Sequence, residues 1–163
     1  MTGDEERALL VDYLAVCKRL KDGFDRAVQD VGSRLPTQPD MLDKLQPAEE
    51  NLLLAYLKRF EQFEDALGRA IKTVVQMMML GKVERQQPRD VANRAEGYGI
   101  VASAESWVEA VRTRNALAHE YPLRPDKRCE QVNRAWAARH VLEEAWSGLN
   151  RFVDQERLLD AQP

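Results

Sequence analysis

Only two cysteines, Cys17 and Cys129, and only two histidines, His119 and His140, occur in the 163 residues. Two cysteines so far apart, with no His or Cys neighbours at ligand spacing, exclude a disulfide framework and argue against a zinc site. A reducing cytoplasm is the compartment that such cysteine usage fits best. No apolar run approaches the roughly 20 residues needed to span a bilayer, so no membrane partner is expected. The opening stretch Met1 to Arg7 is polar and acidic and lacks a signal-peptide pattern. Strand-like alternation of apolar and polar residues is missing. So are a phosphate-cradling glycine loop, a paired-histidine helix motif and a nucleophile elbow, and neither a metal nor a cofactor is expected. No internal repeat, low-complexity tract or linker interrupts the chain. A net charge of -3 argues against a general polyanion binder, so any nucleic-acid role must rest on a local basic surface.

What is present suits one globular unit. Hydrophobic residues make up 44% and charged residues 31%, and the length allows a single domain, 1–163, with a real core. Apolar residues recur at three-four spacing almost throughout, which predicts an all-α fold. A first, extended helix is expected over about 4–31, with Leu10, Leu14, Cys17, Phe24 and Val31 on one stripe. Gly32 to Asp40 reads as a loop because Pro36 and Pro39 break any helix through it. A second helix starts near Pro47, where a proline costs no hydrogen bond, and runs to about Leu80, with Gly81 as its stop. Its stripe includes Leu53, Tyr56, Phe60, Phe63, Leu67 and Ile71. At roughly 50 Å it would be the spine of the domain.

Pro88 opens a short third helix to about Glu96, ended by Gly97 and Gly99. Ser103 caps a fourth, with Trp107, Val111 and Ala118 on one face, finishing near Glu120 or Tyr121 before Pro122. A fifth runs from about Asp126 to Leu159, with Val132, Trp136, His140, Leu142 and Leu149 on its apolar side. The expectation is an up-and-down bundle of about five helices.

The segment Arg114-Asn115-Ala116-Leu117-Ala118-His119-Glu120-Tyr121 concentrates the candidate chemistry. His119 ends a helix, where the dipole favours a cation, and an imidazole can both accept and give a proton near neutral pH. From Arg112 to Arg128 there are five Lys or Arg against two acids; that window carries +3 and the remainder of the chain -6. A phosphate-bearing ligand would be steered to this end. Asn115 and His119 stack four apart on one helix face, and Arg114 and Tyr121, seven apart, share a neighbouring one. Arg114 and His119 diverge by about 140° on an ideal helix. They could meet if the last turn unwinds before Pro122, or if a second copy of the chain contributes its own motif. A purely structural role stands beside this one, because Arg and His near a helix C-terminus often bind free carbonyls. His140 reads as a partly buried structural histidine, Trp136 and Trp146 as packing residues. The run Gln76 to Leu80, with three methionines, reads as core or dimer surface. Glu61 and Glu64 read as a solvated face or surface ion pairs, with a role in orienting Arg114 as the alternative.

The pattern Arg-Asn, three residues, His, one residue, Tyr resembles the Arg-x4-His-x-Tyr motif of HEPN domains. Leu57 to Glu64 resembles the stretch "RFE…FE" on that family's long second helix. Arg89 to Ile100 resembles its short helix, and Trp107 sits where the family often has an aromatic residue. The resemblance covers about 52–141 and is nearest to the HepT-like toxins encoded beside MNT-type minimal nucleotidyltransferases. It implies a HEPN-like bundle that dimerises near the fourth helix, with the active site in a cleft between protomers. It also implies a metal-independent endoribonuclease acting on tRNA or mRNA, with Arg114 and His119 as catalytic pair and Asn115 holding local geometry. Tyr121 matches the tyrosine that the partner nucleotidyltransferase, the antitoxin, adenylylates. As the alternative, the resemblance also admits a non-catalytic HEPN module, such as the binding subunit of a two-component nucleotidyltransferase. Pro122 directly after Tyr121, and the long N-terminal helix with its proline-containing loop, depart from the subgroup pattern.

Overall fold

A computed structural model describes residues 3–79 and 86–160. Among them six helices and no strand occur, an all-helical bundle: α1 (Gly3–Val31), α2 (Pro39–Asp43), α3 (Pro47–Met78), α4 (Pro88–Gly97), α5 (Ala104–His119) and α6 (Pro125–Gln155). Leu80 and Gly81, the expected end and stop of the second helix, lie outside the described residues.

α3 is the spine that its length predicted. It packs against α1, α4, α5 and α6. Pro47 occupies its first turn, and the Glu49 carboxylate accepts from the Gln46 amide over 3.4 Å, satisfying a donor that the first turn leaves without an intrahelical partner. The stripe read from the sequence is the core: Phe24, Tyr56, Phe60 and Phe63 are wholly buried, with Phe24 and Phe63 rings 5.3 Å apart. Burying each such ring contributes about 1.5–3 kcal/mol. The Tyr56 hydroxyl donates to the Ala135 carbonyl over 2.8 Å, and its ring meets Trp136 edge-on, which ties α3 to α6. Trp146 likewise meets Phe63 edge-on, and Met77 to Met79 pack against the core.

Several expectations need correction. The loop before α3 contains α2: Pro39 begins a short helix at its first turn, where the ring is tolerated, rather than preventing one. The loop is also clamped, because Asn133 on α6 accepts from the Thr37 amide over 2.8 Å and donates to the Thr37 carbonyl over 2.9 Å. α6 ends at Gln155, short of Leu159; Arg157 takes φ 50° and the Leu158 amide turns back to the Val153 carbonyl. On α5 the buried stripe is Ala104, Trp107, Ala110 and Thr113, and Ala118, about 140° round the helix from Thr113, is exposed. His140 is also exposed and faces Glu143 at 3.5 Å; one imidazole at the edge of the stripe is better solvated than buried. No helix among the described residues is long and apolar enough to cross a membrane. Both cysteines are buried and unbonded to each other, and burial pushes the Cys17 thiol up to about 12.

Candidate functional site

Two caps fix where α5 begins and so where its far end points. The Ser103 hydroxyl accepts from the Ser106 amide over 3.2 Å, as the sequence suggests. Glu96, at the end of α4, accepts from the Ala104 amide over 2.8 Å, a second cap supplied by a different helix. Gly99, at φ 71°, makes the turn between them. Trp107 then anchors α5 against α3 beside Gly68, and seven residues on Arg114 reaches back to α3.

There its Nε donates to Glu64 Oε2 over 2.6 Å, and Nη2 lies 3.7 Å from Asp65 Oδ1. Glu64 is 1% exposed, so the reading of it as a solvated acid is overturned; its role as the partner of Arg114 is the one observed. Burial raises the Glu64 carboxyl above the usual glutamate range, while the Arg114 hydrogen bond and charge pull it back. A signal for this was present in the sequence. Glu64 stands four after Phe60 and three before Leu67, inside the apolar stripe, and an acid on a core face requires a partner. Glu61, by contrast, pairs with Lys58 at 3.1 Å near the surface, as read.

Arg114 and exposed Asn115 sit at one end of a groove of about 870 Å³ between α3, α4 and α5. Its walls carry Arg69, Lys72, Arg89 and Arg112 besides Arg114, against the two acids Glu64 and Asp65. Lys72 and Arg89 are exposed and were not singled out by sequence, because they lie on other helices, far along the chain from the motif.

His119 lines no part of that groove. α5 continues unbroken to it, and the Glu120 amide still bonds the Ala116 carbonyl at 2.8 Å, so the last turn does not unwind ahead of Pro122. The divergence of Arg114 and His119 on a regular helix therefore stands within one chain. Tyr121 does not share a face with Arg114 either. Glu120 is extended (φ -115°, ψ 128°), which carries Tyr121 out of the helix to the rim of a second groove, about 520 Å³, between α5 and α6. It is 87% exposed there, near Arg124, Lys127 and Arg134.

The basic window also looks different in three dimensions. Each of its five cations has a carboxylate partner: Arg112 with Glu109, Arg114 with Glu64, Arg124 with Asp126, Lys127 with Glu130 and Arg128 with Glu50. Four of those pairs are at least partly solvated and hold little energy, so the cations can exchange partners. No group of three or more His, Cys, Asp or Glu side chains among the described residues converges as a metal ion requires.

Fold and site thus define an all-helical bundle with a cationic groove ending at an arginine held by a buried glutamate. No family model matches the chain, and no match was found among curated proteins or solved structures.

Proposed function

We propose that the protein is a metal-independent endoribonuclease of the HEPN type, working as a homodimer and serving as the toxin of a toxin–antitoxin pair in the cytoplasm. The observation that carries this is the placement of the motif at the free end of α5. Arg114 opens on a groove rich in cations, while His119, about 140° round the same helix, is exposed and lines no part of it. A second copy packed two-fold along α5 would bring the His119 of one protomer to the Arg114 of the other.

In that cleft the 2′-hydroxyl oxygen of RNA bonds to the adjacent phosphorus and the bond from phosphorus to the 5′-oxygen breaks. A 2′,3′-cyclic phosphate and a free 5′-hydroxyl remain. His119 takes the 2′-proton or supplies the one that the leaving oxygen needs. Arg114 donates charge-assisted hydrogen bonds to the phosphate oxygens as negative charge develops. Glu64 fixes the guanidinium on one edge and leaves the other for phosphate, and Asn115 holds the neighbouring turn. Tyr121 presents its hydroxyl openly to a nucleotidyltransferase antitoxin. An adenylyl group there would add negative charge and bulk at the α5 end that the second copy must approach.

A second reading is a non-catalytic HEPN module, the binding subunit of a two-component nucleotidyltransferase. The ion pair itself favours it, since an arginine engaged by Glu64 and Asp65 already has a structural task. RNA cleavage by purified, unmodified protein in excess chelator separates the two. Wild type should cut tRNA or mRNA to 2′,3′-cyclic ends, and Arg114→Ala and His119→Ala should not. Absence of cutting by wild type with unmodified Tyr121 moves the assignment to the binding module.

A further inference from the structure

We infer that the groove between α3, α4 and α5 holds the phosphate backbone of an RNA strand flanking the bond to be cut, with Lys72, Arg89 and Arg112 as its phosphate ligands. The identity of the strand rests on the ribonuclease reading above; the anion preference of the groove rests on its own geometry.

Five cations line the groove against two acids. The acids are already engaged, Glu64 and Asp65 by Arg114 and Asp65 also by Arg69 at 3.0 Å. Lys72 and Arg89 make no ion pair among the described residues, and Arg112 reaches Glu109 only at 3.6 Å across solvent. Among the described residues, the groove therefore presents positive charge that no acid compensates. α4 adds to it: its N-terminal turn, Pro88 and Arg89, opens on the same space, and Gln87 ahead of it provides no side-chain cap. The positive end of the α4 dipole lies at that turn, offset in part by Asp90.

The wall chemistry favours backbone over bases. Trp107 is 4% exposed, so its ring face is spent on packing, and the other apolar walls are Val91, Val108 and Val111. Without an exposed aromatic platform, bases have nothing to stack on. Charge contacts to phosphates remain, and these are tolerant of sequence and sensitive to salt. Because the groove ends at Arg114 and Asn115, a strand lying in it would deliver its next phosphate to the motif.

The test uses a short, labelled 2′-O-methyl oligonucleotide, which cannot be cut, titrated with full-length protein by fluorescence anisotropy over a range of salt. Three proteins are compared: wild type, the double variant Lys72→Ala/Arg89→Ala, and a charge-matched control, Lys18→Ala/Arg19→Ala, on the exposed side of α1. Circular dichroism melts confirm that each folds. The double variant should bind about tenfold more weakly or worse, with its logarithmic salt slope reduced by about 1.4, two phosphate contacts' worth for a single strand. The control should bind within about twofold of wild type. Equal weakening of both double variants, an unchanged double variant, or no binding by wild type at low salt each overturns the inference. Binding by wild type that depends on Lys72 and Arg89, without cleavage of ordinary RNA, would sink the ribonuclease reading and leave the groove. Cleavage with unchanged KM in the double variant would do the reverse.

Discussion

The guanidinium of Arg114 meets the carboxylate of Glu64 at 2.6 Å, across fifty residues of sequence, and Glu64 is 1% exposed there. The pair is the polar joint between α3 and α5. Removing the arginine leaves a buried carboxylate with no counter-charge, and one-sided loss of a buried pair typically costs about 3–5 kcal/mol. Arg114→Ala should therefore lower unfolding free energy by about 3 kcal/mol in urea titrations. His119→Ala, at an exposed helix end, should stay within about 0.5 kcal/mol of wild type. A loss below about 1 kcal/mol for Arg114→Ala would show that the pair does not support the fold. His119→Ala is accordingly the cleaner probe of the proposed ribonuclease activity.

The same glutamate makes stability depend on pH with a definite sign. Burial is the largest influence and raises its folded-state pKa; Arg114 opposes but does not cancel it. The folded protein thus holds this proton more tightly than the unfolded chain. Its contribution is fully present below the unfolded value, about 4.3, and is lost as pH rises through the higher folded value. Measured from acid to neutral pH, the stability of wild type relative to Glu64→Gln should fall with rising pH in that window. A difference that is flat, or that grows with pH, contradicts the assignment.

Two glycines should respond oppositely to alanine. At Gly148 a Cβ would stand 2.1 Å from the Ile100 carbonyl oxygen and 2.8 Å from its carbon, both backbone, where α6 passes the turn before α5. Gly148→Ala should cost about 2 kcal/mol or more, through overpacking that no side chain can relieve. At Gly97 nothing lies within 4 Å, and Gly97→Ala should be neutral or gain up to about 1 kcal/mol of helix propensity. Thermal melts of the two variants give the comparison, and equal Tm changes would refute the placement of α6.

Tyr121 offers a prediction that separates modification from folding. Its side chain is almost fully solvated, so Tyr121→Phe should leave stability within about 0.5 kcal/mol of wild type. Co-expressed with an MNT-type nucleotidyltransferase, wild type should gain adenylyl mass on the peptide containing Tyr121, and Tyr121→Phe should gain none. Adenylylation of the variant at an equal level would move the acceptor elsewhere.

Much of the helical layout was legible because it is local chemistry repeated at period 3.6. Pro47 and Pro88 in first turns, Ser103 as a cap and the stripe from Leu53 to Val75 each follow from rules that operate within one helix. The failures lie where a segment's neighbours decide. α2 and the α6 terminus depend on what the loop and tail pack on, as the Thr37–Asn133 clamp shows. His140 and Ala118 sit within sequence patterns that look apolar, yet both are exposed among the described residues.

The sequence by itself determined that this chain is helical and where most of its helices start, because hydrophobic period and caps are properties of neighbouring residues. Only the tertiary structure decided that Glu64 is buried against Arg114, that Lys72 and Arg89 join that arginine in one groove, and that His119 and Tyr121 face away from it. Those relations join α3, α4 and α5 across tens of residues, or depend on whether one turn of helix continues, and they are set by how whole helices pack rather than by any local pattern.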